Sequence, residues 1–157
     1  MVQLFLFLHF GAAIIAFGPS FAFPLIGGMG GKEPIHANFA TRVSAALVRR
    51  RVLPFALSMP VSGIGLIWFA GIDVFSTRSA WLIIAIVVYT AAILFVIRVQ
   101  NPAVEKVVEL TSLPPDPAAG GPPAELRATI MKVQQGGMAL MVAIVVIVFL
   151  MIFKPGF

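Results

Sequence analysis

Two histidines, seven methionines and no cysteine make up this chain's stock of soft or imidazole ligands. Without a thiol, disulfides, thiolate catalysis, cysteine zinc sites and iron–sulfur ligation are all excluded. Of the histidines, His9 stands inside an apolar run, with Ala12 and Ala16 three and seven residues on. That spacing puts all three on one helix face. It suits an axial haem ligand, because imidazole binds the iron while the alanines leave room for a flat macrocycle. It equally suits a packed histidine that bonds a backbone carbonyl or a neighbouring hydroxyl, and the sequence leaves both readings open.

His36 follows the same helix at its far end, most of a membrane thickness away at ~1.5 Å of rise per residue. A haem on His9 therefore needs a different second ligand, such as Met151 or a partner's side chain, or stays five-coordinate. His9 and Met151 fall near the same membrane boundary and form a candidate soft-metal pair of the kind copper accepts. The six acidic residues, Glu33, Asp73, Glu105, Glu109, Asp116 and Glu125, all lie outside the apolar runs. No acid–base pair converges within the runs, and this argues against an enzyme.

The elements that must position these residues are four apolar runs, Leu4–Ile26, Leu53–Ala70, Ala80–Val99 and Met138–Phe153. A bilayer core ~30 Å thick takes ~20 apolar residues as helix. The first and third runs reach that length, and the other two lengthen through Arg49–Val52 and Met131–Gly137. With 60% hydrophobic and 11% charged residues in 157, the chain carries more apolar surface than a soluble domain of this size could bury. The expected fold is all-α: a polytopic membrane four-helix bundle in a single domain, 1–157. Its helices run over about 3–26, 53–71, 80–99 and 134–153, with connectors 27–52 and 100–133. Nothing basic precedes Leu4 and no clean processing site follows, so the first run reads as a retained helix.

Of eleven Lys and Arg residues, five lie in the first connector and four in the third or at its edge, at Arg98, which leaves only Arg78 and Lys154 elsewhere. The positive-inside rule then makes connectors one and three cytoplasmic and puts both termini outside. The net charge of +5 is explained by this threading, and no nucleic-acid partner is expected. Arg42, Arg49, Arg50 and Arg51 are the expected anchors to anionic lipid headgroups. Past Arg98, the period of Val104, Val107, Val108 and Leu110 continues helix three into the cytoplasm. Pro114-Pro115-Asp116-Pro117 and Gly120-Gly121-Pro122-Pro123 then break it, and Glu125 reopens a helix. The resulting cap between two protruding helices is a candidate docking surface. Pro19 and Pro24 are expected to kink or end helix one. Small residues at Gly11, Ala12, Ala16, Gly18, Gly63 and Gly65 form the expected helix-contact strips, and Trp68 and Trp81 are expected near the outer interface.

The stretch Leu8-His9-Phe10-Gly11-Ala12-Ala13, then Phe17-Gly18-Pro19, with four helices and a basic segment after the first, resembles an uncharacterised family of small bacterial integral membrane proteins. That family is loosely similar to the copper-resistance D and HemJ-type protoporphyrinogen oxidase group. The wider resemblance implies haem b held by the first-helix histidine, which is His9 here, and a bacterial cytoplasmic (inner) membrane. The chain departs from that group in having no second intramembrane histidine and no basic residue in mid-helix to hold a porphyrin carboxylate. Three functions follow as expectations. The foremost is a non-catalytic accessory or structural subunit, bound to membrane lipids and to other membrane subunits or copies of itself. The second is a haem b protein in electron transfer or porphyrin chemistry, and the third is metal or small-molecule transport.

Overall fold

A computed structural model describes residues 1–113 and 121–155. The Pro-rich segment 114–120, including most of the expected cap, lies outside the described residues. Four helical rods carry the fold: Val2–Lys32, Pro34–Ala70, Thr77–Leu110 and Ala124–Phe153, of 31, 37, 34 and 30 residues. Each is long and apolar enough to cross a membrane. At ~1.5 Å per residue the rods are ~45–55 Å long, so they exceed a ~30 Å hydrocarbon core and must project from it. No strand occurs among the described residues. The expected all-α four-helix membrane class is the architecture observed.

The first rod comprises α1 (Val2–Phe17), a 3-10 turn (Gly18–Phe21) and α2 (Phe23–Lys32). Pro19 has no N–H to give, so the ladder tightens locally, and Ala22 N–H bonds the Pro19 carbonyl at 3.0 Å. The rod then continues. The Gly27–Gly31 stretch, expected as the start of a connector, is helical through Lys32. Its packing explains why: Gly30 is buried, and a Cβ there would stand 3.0 Å from the Ala40 Cβ. Close backbone contact with the next rod thus overrides the poor helix propensity of glycine.

The second rod contains α3 (Ala37–Leu47), one π turn (Val48–Val52) and α4 (Leu53–Ala70). Gly71 ends it at φ 63°, a left-handed conformation, and Ile72 N–H returns to the Ile67 carbonyl at 3.0 Å. The third rod contains α5 (Ala80–Phe95), a second π turn (Val96–Gln100) and α6 (Asn101–Leu110). The fourth is one uninterrupted helix, α7 (Ala124–Phe153), beginning directly after Pro123. Helices one, three and four therefore extend past their expected ends at 26, 99 and 134. In the first connector only Glu33 stands outside helical turns.

Rods one and two pair along α1–α4 and α2–α3, and rods three and four pair along α5–α7 and α6–α7. The two hairpins join where α3 meets α6 and where α2 meets α7. One core cluster is Ala12, Ala16, Ala56 and Met59, flanked by Tyr89 and Ile93; Tyr89 donates its hydroxyl to the Ala56 carbonyl. The other is Trp81, Leu82, Ala85 and Leu150, flanked by Ile67 and Met151. Trp81 is 7% exposed and capped by Lys154, whose Nζ lies 5.7 Å from the ring centroid. Trp68, at 80%, is the exposed member of the pair.

Candidate functional site

His9 is brought to the α1–α4 interface by a strip of small residues. Its Nδ1 lies 3.0 Å from Ser62 Oγ, and Ser62 in turn donates to the Met59 carbonyl at 3.1 Å. Gly63 leaves the ring its place: a Cβ there would sit 3.5 Å from His9 Cε1, in ordinary van der Waals contact. This is the hydroxyl-bonded arrangement that the sequence allowed. The face carrying Ala12 and Ala16, which would have had to receive a macrocycle, is filled. Ala16 is fully buried and Ala12 is 7% exposed, both against Ala56 and Met59. A macrocycle bound to His9 would have to lie on another face of α1.

Met151 packs beside the Trp81–Leu150 cluster, while His9 bonds Ser62. The structure thus gives the two candidate soft ligands different neighbours. Among the described residues no three His, Asp or Glu side chains group as a metal site.

Of the expected contact glycines, Gly65 is the tightest. The Phe5 ring lies directly on it and stacks on Phe69 with centroids 5.2 Å apart. At Gly11 and Gly18 a Cβ would meet nothing within 4 Å, so these two take no part in helix contact here. The strip on α1 is made by Ala12 and Ala16 alone, because Gly11 and Gly18 are rotated off the α4 face.

At the opposite end of the bundle the polar side chains tie one rod to another. Arg49 pairs with Glu105, joining rods two and three. Asn38 donates to the Val108 carbonyl at 3.0 Å and to Thr111 Oγ1 at 3.2 Å. Lys106 bridges Glu109 on its own helix at 3.3 Å and Glu125 on α7 at 3.6 Å. Its hydrogen bond to the Glu109 carboxylate and that group's charge hold the ammonium above its ordinary pKa. Gln100 gives its amide N–H to the Val133 carbonyl at 2.9 Å and crosses α7 directly over buried Gly136.

Sequence reasoning missed the Asn38 and Gln100 links. Their only signal was an amide placed next to an apolar helix face. Arg42, Arg49, Arg50 and Arg51 are all exposed, as headgroup anchors must be, and Arg49 also pairs with Glu105.

Two clefts flank α6. One, of about 260 Å³, lies between the second and third rods and includes Arg49, Leu53, Asn101 and Glu105. The other, of about 290 Å³, lies between α6 and α7 and includes Arg98, Lys106, Thr129 and Lys132. Neither collects the acid, base and nucleophile of a reaction. No curated protein and no solved structure is significantly similar to the chain. Four apolar rods, a basic end tied by polar links and the match of residues 3–155 agree: the chain belongs to the family described as predicted integral membrane protein (DUF2269).

Proposed function

We propose that this protein is a non-catalytic accessory subunit of a larger membrane assembly, which it meets through the helical head at its basic end. The observation that carries the reading is an apolar face lying beyond the arginines. The π turn bearing Arg49, Arg50 and Arg51 packs against α1, so α2 and α3 lie further out along the bundle. Yet on those two helices and the turn before α3, Met29, Ile35 and Phe39 are 60%, 77% and 68% exposed. Acyl chains cover apolar side chains within the hydrocarbon core, while arginines mark its edge. An apolar patch outside that edge calls for a protein partner, here another integral membrane subunit.

The head is also stiff enough to present a surface, because Asn38, Arg49 and Lys106 tie rods two, three and four together. In this reading the basic end faces the cytoplasm of a bacterial inner membrane, with exposed Arg42, Arg50 and Arg51 on lipid headgroups.

The test is size and absorbance, measured in one run on protein gently extracted from its native membrane. The wild-type chain is expected in a particle larger than itself and without a Soret band. Replacing Ile35 and Phe39 by Ser is expected to release it as a monodisperse, helical species. A wild-type chain that migrates alone would overturn the subunit reading, as would a double variant that stays in the large particle. A stoichiometric Soret band lost in His9→Ala would put haem binding in its place.

A further inference from the structure

We propose that the cleft between α6 and α7 binds a phosphate-bearing anion, the headgroup of an acidic phospholipid, on Arg98 and Lys132. This site is separate from the Arg42 and Arg49–Arg51 cluster and independent of the partner reading. It rests on the walls, the charge and the position of the cleft.

The walls are fixed at two levels. Gln100 bonds the Val133 carbonyl across the interface, and one to two turns further along Lys106 reaches Glu125. Between them Val99, Pro102 and Ala103 face Thr129 and Lys132 across about 290 Å³ of open space. That space is enough for a phosphate and part of its glycerol.

The charge in the cleft is not balanced. Lys106 is occupied by Glu109 and Glu125, and Glu105 is turned to Arg49 in the other cleft. Arg98 and Lys132 have no carboxylate within ion-pair distance among the described residues. Thr129 donates its own hydroxyl to the Glu125 carbonyl at 2.8 Å, so the donors left for a ligand are the guanidinium and the ammonium. A guanidinium can grip two phosphate oxygens at once and the ammonium adds a point charge.

Position favours a lipid as the source of that phosphate. Arg98 follows the apolar stretch of α5 by less than one turn. Below it, Leu94 and Val87 recur four and eleven residues back on the same helix face, 53% and 61% exposed. An acyl chain attached to a phosphate at Arg98 would run down that strip.

The experiment is native mass spectrometry of the full chain, reconstituted with dioleoylphosphatidylglycerol or dioleoylphosphatidylcholine. The wild type should retain phosphatidylglycerol in preference. Removing both cations in R98Q/K132Q should cut retention of one such lipid by on the order of 100-fold, as expected for the loss of two charge-assisted contacts. The charge-conserving R98K/K132R should keep most of the preference, which separates ligand binding from folding. R50Q/R51Q should leave this one lipid in place.

Displacement of the lipid by millimolar inorganic phosphate would support the anion site and assign it to a soluble phosphate. Equal retention of the two lipids by the wild type, or a preference unchanged in R98Q/K132Q, would overturn the proposal.

Discussion

Gly136 has no side chain because Gln100 needs the space. A Cβ at 136 would collide with the Gln100 amide and stand 3.1 Å from Phe95 Cζ, so any larger residue must push α6 and α7 apart or displace the amide. Gly136→Val is therefore expected to lower stability by about 1–3 kcal/mol, the usual range for overpacking. Gln100→Ala should recover a large part of that loss, since it removes the obstacle at the price of one hydrogen bond. Denaturant titration of the four variants in mixed micelles checks this, and additive effects would sink the argument. At His9 the expectation is smaller. The His9–Ser62 bond joins two helices inside the membrane, where such bonds average about 0.6 kcal/mol, so a His9→Ala, Ser62→Ala cycle should return a coupling of that order. A coupling near zero would make His9 a pure space filler.

Among the elements, the informative contrast is between three glycines. Gly71 closes α4 in a left-handed conformation, and Gly71→Ala should cost about 1 kcal/mol because the added Cβ crowds the carbonyl there. Gly27 is helical with open space around it, and Gly27→Ala should stabilise by roughly 0.5–1 kcal/mol. Gly30 is helical too, but its neighbour Ala40 is already close, so Gly30→Ala should lose what Gly27→Ala gains. Thermal unfolding in one detergent ranks the three, and a stabilising Gly30→Ala would mean that α2 and α3 are not in contact. The same residues show what the sequence could tell and what it could not. Four spans were legible because ~20-residue apolar runs have no other stable home. The helical state of 27–31 was not, because it depends on an Ala40 contact that only the folded hairpin creates. That Ser58 and Thr90 can bond a carbonyl one turn back, as they do at 2.8 Å in both cases, is legible from residue type alone. The Ser62 partner of His9 was not, since it lies 53 residues away and follows from the register of α1 on α4.

At the scale of the whole molecule most of the charge among the described residues lies at one end of the bundle. The arginine-rich turns, the Arg49–Glu105 pair and the Lys106 bridges lie together, while Met1, the connector after Gly71 and Lys154 gather at the other end. The proposed threading assigns the first end to the cytoplasm, and the absence of cysteine makes that directly measurable with single reporters. Phe75, 94% exposed in the connector after Gly71, and Ser112, at the far end of the third rod, are suitable sites. In intact cells a membrane-impermeant maleimide should label Phe75→Cys, and Ser112→Cys only after the membrane is opened. The reverse pattern would invert the molecule and turn the apolar head outward, taking the proposed partner surface with it. Charge is the cause under test, so Arg49, Arg50 and Arg51 replaced together by Gln should raise the inverted share without reversing the majority. Each basic residue near the cytoplasmic leaflet is worth about 1 kcal/mol, which makes three of nine a substantial fraction of the bias. Unchanged labelling in that triple variant would shift the burden to the third connector, where Arg98, Lys106, Arg127 and Lys132 would suffice to hold the orientation.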